Sequence, residues 1–533
     1  MRTLRLLGLL TFSLMLMVTL SVQAQTEAPD TTPETAVTEE MMTEEAFEGT
    51  MTPTTAPTLS PQEIEDCPVL VQEALDVTKT TCDSLANNEV CYGHSTLEAA
   101  SRPGFADFKF DEPGDIEEVI EMQSLSLSPM DLTNQEWGVI LMRVRTTLAQ
   151  QSSTTETQGA PQTAPDASSD TDLTPQAPVT FVVFGDTKLT APTTIIEGRL
   201  NGNARMRALP STSSEIVTVL EAGADLVLNG RTPASDWIRV RIINEAGGVN
   251  YGWIAADLVE VEPEIDLDTL DEIVDAQVTS ESPLNYGPMQ AFYFQSGATD
   301  APCEAAPNSG MLIQTPEGQA TVTLWIDEVV IELNGTTYVQ TGDNGDLTLS
   351  SLDGIVSVTA NGSTRTAVPG VQVTVPLTAD LTAAGVPNDP QPIDPDNLQA
   401  LPVDLLDTPV TIPDALTVPA GAPAPGRWSF RWDVTEATCP GGRVVGFEAS
   451  GVPSALNLSG DGTTVEYGNN AYQRVAEGVY QNEYTDPEGN THRDTLNVLA
   501  LDRIQGESVI EVFAQTPECT LTIPFTLTLV AGS

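Results

Sequence analysis

Apolar and polar residues alternate along most of this chain in short runs punctuated by Gly, Asn, Asp and Pro, and that period predicts β-strands rather than helices. In 427–433, Trp428, Phe430 and Trp432 alternate with Arg427, Ser429, Arg431 and Asp433, which makes one aromatic and one polar face. The runs 137–145 and 179–185 are nearly continuous in apolar residues, as buried strands are. From 310 to 377 strand signals alternate with expected turns at Asn334-Gly335, Asp343-Asn344-Gly345, Asp353-Gly354, Asn361-Gly362 and Pro369-Gly370. Only 64–87, with Val69, Leu70, Val71, Leu75 and Val77, predicts a short helix, and 262–275 is acidic and helix-prone. Turns are expected at Cys91-Tyr92-Gly93-His94, Asn229-Gly230 and Gly247-Gly248. The fold class is therefore mainly β: several small barrels or sandwiches joined by disordered acidic and Pro-rich linkers, with a short N-terminal helical segment.

Three stretches interrupt the pattern. Residues 25–62, rich in Thr, Pro and Glu, form an expected disordered stalk, because they cannot bury enough apolar surface to order themselves. Residues 150–178 are polar, and 384–425 is a Pro/Asp-rich linker expected to be an extended spacer. The apolar runs flanking 150–178 are best paired with each other, since a lone strand would leave an open edge, so this stretch is an insertion within a hairpin. The resulting division is a Cys-containing α+β domain (63–190), a small barrel (196–262), a connecting segment (263–309), a β-domain (310–383) and a C-terminal antiparallel β-domain (426–533).

Arg2 and Arg5, an apolar run over 6–20 and Val22-Gln23-Ala24 have the form of a signal peptide, 1–24. The apolar run is shorter than a membrane span needs, so no integral membrane segment is expected after cleavage, and the chain belongs outside the cytoplasm. The formal charge of −55 becomes −57 once the two leader arginines are removed, and such a surface repels nucleic acid phosphate. In an exported chain six cysteines predict disulfides. Cys439 and Cys519 bracket one block and are expected to pair, while Cys67, Cys82, Cys91 and Cys303 allow three pairings. A bond from Cys303 to an N-terminal cysteine would tie two blocks together across 196–262.

Residues 203–258 carry the most specific order: Ala204-Arg-Met-Arg-Ala-Leu-Pro-Ser211, then 216–220 and Gly223, then Trp237-Ile-Arg-Val240, then Gly252-Trp253-Ile254. This order resembles the bacterial SH3 (SH3b) domain, a small barrel of secreted and wall-associated proteins; Leu209-Pro210 departs from the family's usual Gly-Pro. The resemblance implies contact with a wall polymer or an envelope protein. Arg205 and Arg207 are candidate contacts for an anionic ligand, and Trp237 and Trp253 are candidates for either the core or a ligand platform. The series 318–324, 329–335, 347–349 and 354–360 resembles the extracytoplasmic FecR-type β-domain, which implies a role through protein contact.

Catalytic chemistry has little to work with. His94 and His492 are the only histidines, and no nucleophile elbow, zincin motif or phosphate loop is present. No catalytic residue, metal ligand or cofactor is expected; Cys91 and His94 lack further ligands. The expectation is a non-enzymatic, extracytoplasmic binding or adhesion protein of a bacterial envelope. One alternative is a wall or carbohydrate hydrolase with an acid pair in 426–533, where Asp461 and Glu477 are undistinguished from the other acids. The other is a sensor or assembly component acting through 310–383.

Overall fold

The computed structural model describes residues 61–530 apart from 103–104, 106–107, 146–177, 244–248, 264, 275–281, 298–302, 317–320, 343–344, 435, 440–443, 447–452, 488 and 513–518. The expected leader, nearly all of the stalk and of the 150–178 insertion, and the Gly247-Gly248 turn lie outside the described residues. The fold is mainly β, with one α-helix among the described residues.

That helix, Pro61–Thr81, buries Cys67, Leu70, Val71, Ala74 and Thr78. Their spacing of three and four puts them on one stripe. The expected Cys91–His94 turn is instead part of the strand Glu89–His94, buried through its centre. It packs under the helix, where a Cβ at Gly93 would overlap Thr78.

The strands Val139–Val144 and Val179–Phe184 pair antiparallel from Val139↔Phe184 to Val144↔Val179, the hairpin expected across the insertion. All of Val179–Phe184 is buried, because Gly310–Gln314 adds to its other edge (Met311↔Val183) and both faces are covered. The two blocks expected as separate domains, 63–190 and 310–383, therefore belong to one fifteen-stranded sheet. A strand apolar on both faces needs neighbours on both edges, and only the second block supplies the missing one.

Two expected turns in that block are also strand. Asn334-Gly335 and Asp353-Gly354 lie opposite each other inside Val329–Thr341 and Leu347–Ala360, with Gly335 paired to Gly354. Both glycines have positive φ, +121° and +71°, and a Cβ on either would collide with the facing backbone. The pair bends the two long strands without breaking them. Asn361-Gly362 and Pro369-Gly370 do form turns.

The stretch 384–425 is not a spacer. Ile393, Leu398, Leu401, Leu405 and Leu406 are buried in the same cluster as the helix residues Cys67 and Val71. Asp407 accepts from Arg143 at 2.6 Å and from Thr180 at 2.5 Å. Its leucines recur every few residues among the prolines, which suffices to cover the second face of the sheet.

Residues 196–261 leave this sheet after Thr187–Thr190 and the chain returns at Ala291–Ser296, which pairs with the strand it left (Leu189↔Phe294). The insert is a seven-stranded sheet curled around Ile196, Leu200, Met206, Leu228, Ile238, Val240 and Ile254. Asn229-Gly230, expected as a turn, is a bulge within Asp225–Arg231. Glycine suits this position because a Cβ at Gly230 would overlap the Ile273 side chain. Nor do the described residues of 262–275 form an α-helix: a 3-10 turn, Leu267–Thr269, is followed by Leu270 and Ile273 packed on the insert, with Ile273 N–H donating to Arg231 O. Docking satisfies both its apolar side chains and its backbone, which an isolated acidic helix could not do. The bond Cys67–Cys303 spans the insert, Cys82 pairs with Cys91, and Cys439 pairs with Cys519 as expected.

The C-terminal strands close into an eight-stranded barrel, from Gly426–Trp432 through Ser454–Leu458 and onward to Cys519–Leu529. Closure removes sheet edges. The aromatic face anticipated for 427–433 points inward, with Trp428 fully buried among Leu456, Tyr480 and Phe525. One end sits on the core sheet through Ala424, Leu501 and Leu529. The other carries the small hairpin Glu436–Thr438/Val444–Gly446 and the Cys439–Cys519 bond.

Candidate functional site

The four contact candidates of the insert, Arg205, Arg207, Trp237 and Trp253, all fall on the outer face of its sheet, opposite the apolar core. Ala204 and Met206 point inward, which turns Arg205 and Arg207 outward. Trp253 stands opposite Arg207 on one side and Arg239 on the other, and Trp237 belongs to the same register set as Arg239 and Arg241. Alternation thus gathers arginines and aromatic rings on one surface.

That surface has two halves. In one, Arg239 donates to Leu284 O and Asn285 Oδ1, both at 2.8 Å, and its guanidinium lies 4.6 Å from the centre of the Tyr251 ring. Tyr251 donates to Asn285 O at 2.6 Å and Asn229 to Leu284 O at 3.1 Å. Burial lowers the Arg239 pKa to about 10 and raises that of Tyr251. Residues 283–285 therefore occupy this half, and Arg239 contributes to intramolecular docking.

The other half is open. Arg205 is exposed, and Arg207, half-buried, donates to Ser214 O at 2.7 Å; neither forms an ion pair among the described residues. Beside them the edge strand Ile216–Leu220 pairs only with Ala204–Arg207. It exposes Ile216, Val217 and Val219, the last at 64 %, and Leu209 adds a fourth exposed apolar side chain. Trp253 is 2 % exposed and offers no platform, and Trp237 is half-buried beside the Thr232–Trp237 turn. The apolar edge was missed in the sequence because Ile216-Val-Thr-Val-Leu220 reads as an ordinary buried strand.

The barrel holds a second constellation. His492, Asp494, Tyr472, Tyr484 and Ser508 are on inward positions near the end away from the core. Asp486 Oδ2 accepts from Asn490 Nδ2 at 2.8 Å and lies 3.1 Å from His492 Nε2; His492 Nδ1 is 3.4 Å from Ser508 Oγ. Ser508 is opposite Asp494 in register, and Tyr472 donates to Asp494 Oδ2 at 3.2 Å. Tyr484 stacks on His492 with centroids 4.7 Å apart. Burial raises the Asp494 pKa against hydrogen bonds from Ser508 and Tyr472 and the charge of His492, and burial together with Asp494 raises those of Tyr472 and Tyr484. The sequence signal was available, since His492 and Asp494 alternate with Arg493 and Thr495, but the strand's facing could not be assigned without the barrel.

Neither Asp461 nor Glu477 joins this group. Asp461 is exposed in a turn, where Ser459 and Thr463 hold its pKa down to about 2, and Glu477 is exposed beside Gly478. Cys91 is consumed by its disulfide, and His94 Nδ1 sits 3.0 Å from Trp137 O. Among the described residues no group of three or more His, Cys, Asp and Glu is placed to hold a metal ion. No family model matches this chain, and no curated protein or solved structure matches it either.

Proposed function

We propose that this chain is a non-enzymatic, extracytoplasmic binding protein of a bacterial envelope, and that its contact surface is the open half of the insert's outer face. The observation that carries this is the strip formed by Ile216, Val217 and Val219 on an unpaired edge beside Arg205 and Arg207. Natural sheets blunt such edges with charge or proline. Here the exposed positions within the strand are β-branched; Glu215 and Glu221 stand only at its two ends, and Arg205 and Arg207 lie on the strand paired to it. An exposed strand edge takes up an extended segment of another protein through its backbone, and the two arginines select acidic groups alongside it. This favours an envelope protein over a glycan. The three disulfides support an oxidising extracytoplasmic environment, and the SH3b resemblance of 203–258 supports a contact role.

The test is capture by the full chain of purified peptidoglycan and of envelope protein extract, with a photo-crosslinker at Val217. Retention of a protein, lost in Val219→Lys and weakened by Arg205→Glu at unchanged thermal stability, is the expected result. Peptidoglycan binding indifferent to both changes would sink this surface as the contact. No helix among the described residues is long and apolar enough to cross a membrane.

A further inference from the structure

The fifteen-stranded sheet has a thin seam. On one side stand Leu97–Ser101, Met122–Leu127, Thr187–Thr190 and Ala291–Ser296, and the rest of the sheet begins with Val322–Ile326. The two groups meet in a parallel pairing only two residues deep, Ala291↔Trp325 and Phe292↔Ile326. The insert leaves and rejoins the sheet within the smaller group, after Thr190 and before Ala291. Past Phe292, side chains replace the ladder. Phe294 N–H donates to Asp327 Oδ1 at 2.8 Å, and Asp327 N–H to Phe292 O at 3.3 Å. Farther along, Ser296 N–H donates to Thr341 Oγ1 at 2.7 Å and Thr341 N–H to Ser296 Oγ at 2.8 Å. We infer that Asp327 is a proton-operated latch on this seam: as a neutral acid it holds Ala291–Ser296 against the 322–341 hairpin, and its ionisation opens them.

Asp327 is fully buried, and its Oδ2 has no partner. The charged groups around it do not neutralise it. Glu328 shares its turn and is exposed, and the Tyr293 phenol has its pKa raised by burial and by the charges of Glu328 and Asp327. Lys188 and Glu332 are exposed on the flanking strands, and Arg241 lies beside Gly287 and Tyr251. Asp186 and Asp346 stand at the far end, next to Gly297 and Gly342. A buried carboxylate without a cation costs far more than a buried neutral carboxyl, so the closed seam favours the acid. Burial accordingly pushes the Asp327 pKa up to about 8 against the hydrogen bond from Phe294 N–H. The turn offers the charge a way out. Asp327 and Glu328 form the tight end of the hairpin with positive φ, +54° and +62°, a conformation these residues hold only under constraint. Swinging this turn outward brings the carboxylate to water and breaks both of its bonds to Ala291–Ser296. An opened Asp327 titrates near 3.9, so the latch's contribution is fully present below about 3.9 and is lost as pH rises through the folded value. Within that window the opening equilibrium rises about tenfold per pH unit. This device is separate from the insert's edge and does not depend on it.

The experiment is amide hydrogen exchange of the full chain between pH 5 and 7, read by mass spectrometry on peptides and corrected for the intrinsic base catalysis of exchange. Peptides covering 291–297 report the seam, and peptides covering 179–184, in the middle of the larger group, are the internal control. Expected is a loss of protection of about tenfold per pH unit at 291–297, with 179–184 unchanged. Asp327→Asn keeps an acceptor for Phe294 N–H and cannot ionise, so its protection at 291–297 should be flat with pH, while Glu328→Gln should keep the native slope. Protection at 291–297 that follows 179–184 at every pH overturns the latch. So does a slope that persists in Asp327→Asn or disappears in Glu328→Gln. If Asp327→Asn does not fold, the comparison of the two segments within the native chain decides by itself.

Discussion

The insert and the C-terminal barrel are small β-units built from the same alternation, yet they place their chemistry on opposite sides. In the insert the inward set is wholly apolar, and arginines and aromatic rings face out. In the barrel the outward set carries the arginines, while aromatic rings share the interior with Asp494, His492 and Ser508. Curvature decides the difference. A sheet curled over a small core excludes anything polar, whereas a closed barrel has a mouth where polar groups can sit behind a rim. The insert therefore presents its polar and aromatic groups on a face and an edge, and the barrel keeps part of its own inside.

The largest effect expected from breaking this contrast is removal of the bond at the barrel's distal end. Cys439→Ser with Cys519→Ser, a link across a sequence separation of 80, should cost the barrel about 4 kcal/mol on chain-entropy grounds. Near-ultraviolet dichroism during thermal unfolding would check it. Next comes Trp428→Ala, which opens the barrel core and should cost about 3–5 kcal/mol by denaturant unfolding. The exposed Arg205→Ala in the insert should change stability by no more than about 0.5 kcal/mol. Equal costs for the two would erase the inside-versus-outside distinction.

A smaller effect follows from pH. Burial raises the folded-state pKa of Asp494 above its unfolded value. Its favourable contribution is therefore fully present below the unfolded carboxylate range near 3.9 and is lost as pH rises through the folded value. Asp461 has the opposite sign: its contribution is present above about 3.9 and fades as pH falls toward its folded value of about 2. Melting temperatures between pH 7 and 4 should show the Asp494 component, and Asp494→Asn should flatten that part of the profile. An unchanged profile would place Asp494 in a solvated setting. The smallest effect on stability is expected for Val219→Lys on the insert edge, within about 0.5 kcal/mol, with the loss appearing only in partner capture.

Much of the local structure was legible. Alternation located the strands, the continuous apolar runs 137–145 and 179–185 identified a hairpin across a polar insertion, and the count and position of Cys439 and Cys519 predicted their bond. The errors share one cause. Asn334-Gly335, Asp353-Gly354 and Asn229-Gly230 have turn chemistry, but each sits where a neighbouring backbone or side chain comes too close for a Cβ, a fact that belongs to the neighbour. The prolines and aspartates of 384–425 read as a spacer because their composition is polar on average, while Leu398, Leu401 and Leu405 find a face to cover only when the sheet is present. For the sites, alternation turned Arg205 and Arg207 outward, but that Trp253 shares their face and is buried there, and that Val219 is exposed, depends on which strands stand beside them.

By itself the sequence determined the β class, the two alternating sets of residues along many strands, the acidic surface and the presence of disulfides, because these follow from local period and composition. Tertiary structure alone decided that the first and third blocks share one sheet, that Cys67 meets Cys303, that the insert has one covered and one open half, and that Asp494 faces the inside of a barrel. Each of those depends on which distant segment supplies the next strand or the covering side chains, and a period of two residues carries no record of its partner.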